Sequence, residues 1–336
     1  MLNNFEILVD KFVKFVKRLS KMNTSIDLNY VPNKSCLTQC NANKRREITE
    51  NDLCTYTCST FDNLPLRCVG EWGKEKIYYL TRYFEIFSKG MHRKWNGKLN
   101  YIEICSGPGR CISRNNGLEF DGTALSILKN SAFQFIEKAI FFDFNDAIVN
   151  VLNQRIQNQN ISKAIALKGD YNQPIEICKR ITQTIDTQSL NLVFIDPTDC
   201  SVPFSLIHNI DKYLSKTDFI INMASGTDLT RNLSNALQYQ MNYRESISKY
   251  SRFLGSTDFF QEQKNIELAN RGDHEKLRNS FREAYKQSLT KIGYVFIDFH
   301  RIRHYYELIF ASKHNLGLDF WKKAKKIEFD GQRRLF

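Results

Sequence analysis

The sequence has no long apolar run. Nowhere in its 336 residues does a stretch approach the roughly 20 needed to span a bilayer, and the N-terminus lacks the short apolar run and small-residue cleavage site of a secretory leader. A cytoplasmic protein with no membrane partner is expected. Cysteine is sparse: there are nine, and several, such as Cys105 and Cys178, lie inside apolar runs. That fits reduced thiols better than a disulfide framework. Low-complexity tracts are absent, while 42% hydrophobic and 13% aromatic residues supply enough apolar surface for a large core. Acidic residues are in deficit. Lys and Arg number 48 against 36 Asp and Glu, a formal net charge of +12, which favours polyanionic partners such as nucleic acid through counterion release and steering. No RGG, RNP or Lys-run motif accompanies the charge, so a basic protein with no nucleic-acid partner is an equal reading.

The length suits one main domain with additions: an N-terminal helix and cysteine-containing region over 1–70, a main domain over 71–325, and a basic tail over 326–336. Phe5, Leu8, Phe12, Phe15, Val16 and Leu19 recur at helical spacing with Lys11, Lys14, Lys17 and Arg18 between them. This predicts an amphipathic basic helix that docks on the main body or touches a polyanionic surface. In the polar stretch that follows, Cys36, Cys40, Cys54 and Cys58 form two C-x-x-x-C pairs. Their thiolates could hold zinc tetrahedrally, although a two-residue spacing within each pair suits a structural zinc knuckle better, and free cysteines are the alternative.

From Trp72 to Phe87 the spacing predicts a helix, after which short apolar runs alternate with helical stretches. The runs are Leu99 to Cys105, Lys138 to Phe144, Lys163 to Asp170, Leu190 to Asp196 and Asp218 to Ala224. Such alternation is the signature of βα units and a mostly parallel sheet with helices on both faces. A polar, mainly helical insertion over about 228–276 follows, then a helix from Leu277 to Ile292. Two last runs, Tyr294 to Phe299 and Tyr305 to Ser312, are close enough to pair as a hairpin. A parallel core that ends in an antiparallel hairpin resembles the Rossmann-like α/β sheet of class I methyltransferases.

Chemistry concentrates at the ends of the predicted strands. Glu103 closes the first, and Ser106, Gly107, Pro108 and Gly109 make the turn after it. Glycines there let the backbone approach a ligand, and a following helix N-terminus would present unpaired N–H groups; a purely structural turn is the alternative. Asp143 ends the second strand, where an acidic residue in nucleoside sites accepts from ribose hydroxyls, with Glu137 as a competitor. Gly169 and Asp170 end the third strand and could hold an adenine edge. Asp196, Pro197 and Thr198 end the fourth, the proline fixing a turn that aims a carboxylate or carbonyl at the cleft. Cys200 in that loop has no histidine partner in the pattern. His300, His304 and His314 invite a metal reading but are expected to be surface or turn residues.

These same residues carry a resemblance to the three-Cys-motif partner (TcmP) family over roughly 72–325. The matching pieces are W-x-x-E-K from Trp72 to Lys76, the turn Ser106 to Arg110, GTAL from Gly122 to Leu125, GDYN from Gly169 to Asn172, IDPT from Ile195 to Thr198, and FLGSTDFF from Phe253 to Phe260. The most specific match is the piece Tyr305 to Ala324, with Leu308, Ser312, His314, Gly317 and Trp321. The family usually has an Asp and a Phe-Ala step where Glu103, Ile104 and Cys105 stand, and often Asp-Pro-Phe-Gly where Asp196, Pro197, Thr198 and Asp199 stand. The resemblance implies an S-adenosylmethionine-dependent methyltransferase with a three-Cys-motif protein as a potential partner. Ser106 to Gly109 would face the methionine part, Asp143 the ribose and Asp170 the adenine, while Asp196, Pro197 and Thr198 position an amine or amide acceptor. The rival reading is a non-catalytic subunit of a partner or defence complex that keeps a cofactor-like pocket.

Overall fold

A computed structural model describes residues 53, 54 and 56–332. The N-terminal helix, Cys36, Cys40 and the end of the basic tail lie outside the described residues. Ten strands and ten α-helices make up the rest. Strands β1 (Arg67–Val69), β3 (Arg110–Ser113) and β4 (Glu119–Asp121) form a small sheet. The main sheet holds β2 (Leu99–Ile104), β5 (Lys138–Asp143), β6 (Ala164–Lys168), β7 (Leu190–Ile195), β8 (Thr217–Met223), β9 (Phe296–Ile302) and β10 (Tyr306–Ser312).

The order across the main sheet is β6-β5-β2-β7-β8-β10-β9. Counted within that sheet, this is third, second, first, fourth, fifth, seventh, sixth. Every neighbouring pair is parallel except those of β10, which runs antiparallel to both β8 and β9. This is the class I methyltransferase sheet, a Rossmann-like α/β fold. The chain reverses strand order after β6, and α/β sheets bind ligands at such a switch, here the C-terminal ends of β2 and β7.

Burial on both faces explains the apolar runs. Ile102, Ile104, Phe142, Val193, Ile195, Phe219 and Ile221 face one cluster. Tyr101, Phe141, Leu192, Phe194, Ile220 and Phe310 face the other. Helices α1 (Trp72–Met91), α2 (Thr123–Leu128), α3 (Asp146–Asn158) and α10 (Asn315–Ala324) cover the second face. Helices α4 (Pro174–Thr184), α5 (Phe204–Tyr213), α6 (Thr230–Gln238), α7 (Arg244–Leu254), α8 (Gln263–Asn270) and α9 (His274–Lys291) lie on the first. In α1 the buried residues Ile77, Leu80, Tyr83, Phe84 and Phe87 recur at the helical period. The Tyr83 hydroxyl donates to Asp218 at 2.7 Å, which satisfies a carboxylate at the buried start of β8.

Two expectations need correction. The element after the glycine turn is a strand, not a helix: residues 110–121 leave as the β3–β4 hairpin before α2 begins. The chain then returns to its point of departure, with the Gly122 N–H donating to the Gly109 carbonyl at 2.7 Å. A side chain at Gly122 would press on that same carbonyl at 3.1 Å, so a glycine is what lets the insertion close. His300, expected on the surface, is 3% exposed on β9, with its ring edge-on to Tyr79 at 4.2 Å. It faces the aromatic layer of α1 and α10, whereas His304 and His314 are exposed.

Candidate functional site

Backbone hydrogen bonds continue the sheet past its last paired residues and bring the strand ends into one row. Ser106 N–H donates to Phe142 O at 3.0 Å, Gly169 N–H to Asp143 O at 2.8 Å, and Asp196 N–H to Ile104 O at 3.0 Å. Gly107, Asp143, Asp170 and Asp196 therefore belong to one rim.

The glycine turn is built from left-handed backbone. Gly107 and Gly109 have φ of +66° and +92°, and Cys105 adopts +65° despite its side chain, a conformation L residues rarely take. A side chain at Gly109 would meet Leu152 at 3.0 Å and Leu125 at 3.1 Å, so this glycine allows α2 and α3 to pack against the turn. Asp143 locks the same turn, since its Oδ2 accepts from the Gly107 N–H at 3.1 Å and its Oδ1 from the Asn145 N–H at 3.2 Å. A carboxylate is an acceptor-only group of the kind that ribose hydroxyls bind. Ser106 is 6% exposed, and its Oγ has no hydrogen-bond partner among the described residues. A buried orphan hydroxyl is costly unless something supplies a partner, and here it lies in the turn.

Two of the proposed residues differ in setting. Glu103 is fully buried within β2 rather than on the rim; its carboxylate meets the Tyr101 hydroxyl at 2.8 Å and the hydroxyl of Thr123. Burial pushes it up to about 8, against the pull of the Thr123 and Tyr101 hydroxyls. Asp170 is half-buried and spends Oδ1 on the backbone and side-chain N–H of Asn172, at 2.8 and 3.1 Å. Gly169 is needed for packing, because a side chain there would come within 2.7 Å of Phe142.

At the fourth strand end, Asp196 is held by a group that the sequence pattern did not reveal. Lys76, in the first turns of α1, donates to Oδ1 and Oδ2 at 2.5 and 2.6 Å. Asn222 on β8 adds a bond to Oδ1 at 2.9 Å and one to the Pro197 carbonyl at 3.2 Å. Pro197 is buried and Thr198 exposed. Aromatic rings stand beside the pair: Trp72 stacks on Tyr305 with centroids 4.3 Å apart, and Lys76 Nζ lies 6.0 Å from the Tyr306 ring.

Three more contributors went unread. Arg155 of α3, 2% exposed, donates to the Pro108 carbonyl at 2.6 Å and pairs with Asp62 at 2.7 Å. Phe144, next to Asp143, is 56% exposed and offers an aromatic face at the rim. The aromatic directly after a strand-end carboxylate, Asp143 then Phe144, was the sequence signal that could have found it. Arg67 of β1 reaches the turn: a side chain at Gly107 would lie 3.5 Å from its Nη1.

Cys200 is fully buried and its thiol is driven up by burial and by Asp228, which removes it as a nucleophile. Cys54 is buried and Cys58 exposed. Among the described residues no group of three His, Cys, Asp or Glu side chains could hold a metal ion, and no helix is long and apolar enough to cross a membrane.

No protein-family model matches the sequence, and no curated protein matches it. Solved structures give distant likenesses. A tRNA methyltransferase of B. subtilis is 9% identical over 68% of this chain and 65% of its own, with a TM-score of 0.34. The SAH-bound methyltransferase of Podospora anserina is 9% identical over 67% and 77%, with a TM-score of 0.33. A ribosomal protein L11 methylase from Lactobacillus delbrueckii subsp. bulgaricus is 13% identical over 67% and 76%, also at 0.33. Likenesses this distant carry no weight on activity, and the fold rests on the strand order itself.

Proposed function

We propose that the chain is an S-adenosylmethionine-dependent methyltransferase. The observation that carries this is the coupling of the glycine turn to the second strand end, where Asp143 grips the Gly107 amide within a sheet of this order. The residues fit the cofactor. Ser106 offers a buried hydroxyl at the turn, Asp143 faces the ribose, Phe144 gives the adenine a face, and Gly169 and Asp170 line its edge. S-adenosylmethionine, when bound, supplies an electrophilic methyl group on a sulfonium.

Isothermal titration with S-adenosylmethionine and its demethylated product tests the proposal. Binding of both is expected, and a flat titration for both would sink the reading. Asp143→Asn keeps the shape but removes the charge. It should weaken the demethylated product about tenfold to a hundredfold, as expected for losing a hydrogen bond to a charged group. It should also lower the melting temperature, because the amide oxygen can accept from only one of the Gly107 and Asn145 N–H groups.

On the acceptor side, methyl transfer to nitrogen demands orientation more than acid–base work. Asp196, Pro197 and Thr198 position an amine or amide, with Lys76 and Asn222 fixing the carboxylate. Asp196→Ala should lower turnover of an identified acceptor by roughly a hundredfold, the usual scale of lost positioning; unaltered turnover would remove the assignment. The basic charge supports nucleic acid as the acceptor class, with a product bound to a three-Cys-motif partner as the other source. Labelled methyl donor added to cell lysate, with and without nucleases, separates the two. A second reading, a non-catalytic subunit, is favoured by Lys76 holding both oxygens of Asp196 in the manner of a structural pair. It predicts capture of a three-Cys-motif protein without any methyl transfer.

A further inference from the structure

The small sheet beside the glycine turn has no role in the reading above, yet it delivers a cation to that turn. β1 pairs in parallel with β3, Arg67 opposite Cys111, and β3 is the first segment of the excursion that Gly109 and Gly122 close. The Arg67 side chain thereby crosses the turn, with Nη1 and Cδ placed 3.5 and 3.8 Å from where a side chain at Gly107 would start. A Cβ at 107 would touch the guanidinium at ordinary van der Waals distance, so Arg67 lies directly against the turn.

Charges of both signs meet at the turn: Asp143 holds the Gly107 N–H, Lys76 pairs with Asp196, and Arg155 pairs with Asp62. Arg67 is the cation whose side chain lies against Gly107 itself. The orphan hydroxyl of Ser106, in the residue before Gly107, adds a donor that is more than nine-tenths buried. A guanidinium and an unused buried hydroxyl side by side suit a carboxylate, for which guanidinium gives the strongest planar match. Arg67 already has a partner in the chain, and a guanidinium has enough N–H donors to hold a second.

We infer that Arg67, carried by the small sheet, with Ser106 beside it, forms the subsite for the α-carboxylate of the cofactor's amino-acid end. This rests on the proposed binding of S-adenosylmethionine across the rim. It also gives the β3–β4 excursion a purpose: pairing with β1 sets the reach of Arg67 over the turn. The small sheet then distinguishes ligands that carry the amino-acid tail from bare nucleosides.

The test compares S-adenosylhomocysteine with 5′-methylthioadenosine, which has the same nucleoside and no amino-acid end, by isothermal titration on the full chain. Arg67→Met should weaken S-adenosylhomocysteine about tenfold to a hundredfold and leave 5′-methylthioadenosine unchanged. Arg67→Lys should fall between, since an ammonium keeps the charge but not the planar match. Ser106→Ala should show the same selectivity with a smaller loss. Equal weakening of both ligands in Arg67→Met would show that Arg67 only holds the turn in shape, and undiminished binding of S-adenosylhomocysteine would place the carboxylate elsewhere; either overturns the inference. If the unaltered chain binds neither ligand, the cofactor reading itself fails and takes this one with it. If it binds both with the same affinity, only the carboxylate subsite is lost.

Discussion

Replacing Arg155 by methionine is expected to cost about 3 kcal/mol of stability, the low end for removing one partner from a buried ion pair because Asp62 keeps some access to water, and to abolish ligand binding at the turn. Arg155 links three separate parts of the chain. Its guanidinium donates to Pro108 O in the glycine turn, to Leu64 O ahead of β1, and to both carboxylate oxygens of Asp62. Methionine fills a similar volume, so packing against Gly109 and Leu152 survives while the donors vanish. Two carbonyls and a carboxylate then lose a partner in a place where water reaches poorly.

The charge on Asp62 shows the strength of the pairing. Burial alone would raise its pKa, yet the Arg155 hydrogen bonds and charge hold it below the ordinary carboxylate value. A depressed acid pKa contributes stability that is present in full above the unfolded value and lost as pH falls through the folded one. Urea unfolding at pH 7 should therefore show the whole loss, and the variant should lose less than its parent as the pH is lowered below 4. Equal midpoints at pH 7 would show that the guanidinium is not holding the turn. Arg155→Lys, which keeps a charge but cannot fork between Pro108 and Asp62, should recover only part of the difference.

Both Arg155 and the β3–β4 excursion were hidden in the sequence for the same reason. The five parallel strands and the closing hairpin were legible because burial on both faces demands uninterrupted apolar runs, and residues such as Ile102, Phe142 and Val193 satisfy that demand. The small sheet does not. β3 and β4 are four and three residues long, and their buried side chains include Arg110 and Glu119, which read as surface until they meet. Arg110 sits 2.8 Å from Asp121 and 3.8 Å from Glu119, while Glu119 also accepts from the Ser59 hydroxyl at 2.9 Å. Burial by mutual pairing leaves no hydrophobic period to detect. Arg155 likewise occupies what looks like an exposed position of an amphipathic helix, and only the return of the chain to Pro108 buries it.

The candidate site was legible where a single strand end carries the chemistry, as at Asp143, and illegible where distant segments supply it. Lys76 lies 120 residues from Asp196 in sequence, and no spacing rule joins a helix N-terminus to a strand terminus that far ahead. Glu103 was misplaced by the opposite error. A carboxylate near a strand end looks like a rim group, but alternation along β2 puts it on the same face as Tyr101, beneath the turn and against Thr123 of α2.

That placement makes the pH dependence of stability a sharp test. A carboxyl whose pKa is 4.5 when unfolded and about 8 when folded keeps its proton in the native state across the interval between. The native state then binds more protons than the unfolded one, so stability falls as pH rises from about 4.5 and levels off above about 8. The slope from this group approaches about 1.4 kcal/mol per pH unit inside the interval. Glutamine copies the neutral acid: its carbonyl accepts from Tyr101, and its amide donates to the Thr123 hydroxyl as the protonated carboxyl would. Glu103→Gln should match its parent near pH 5, flatten the decline, and exceed the parent's urea midpoint clearly by pH 8.5. Parallel curves for the two proteins would mean that Glu103 is charged in the fold, balanced by Lys76, and that Asp196 shares this cation. A divergence would instead leave Lys76 wholly to Asp196, with the neutral Glu103 beneath the turn adding no second negative charge beside the strand end.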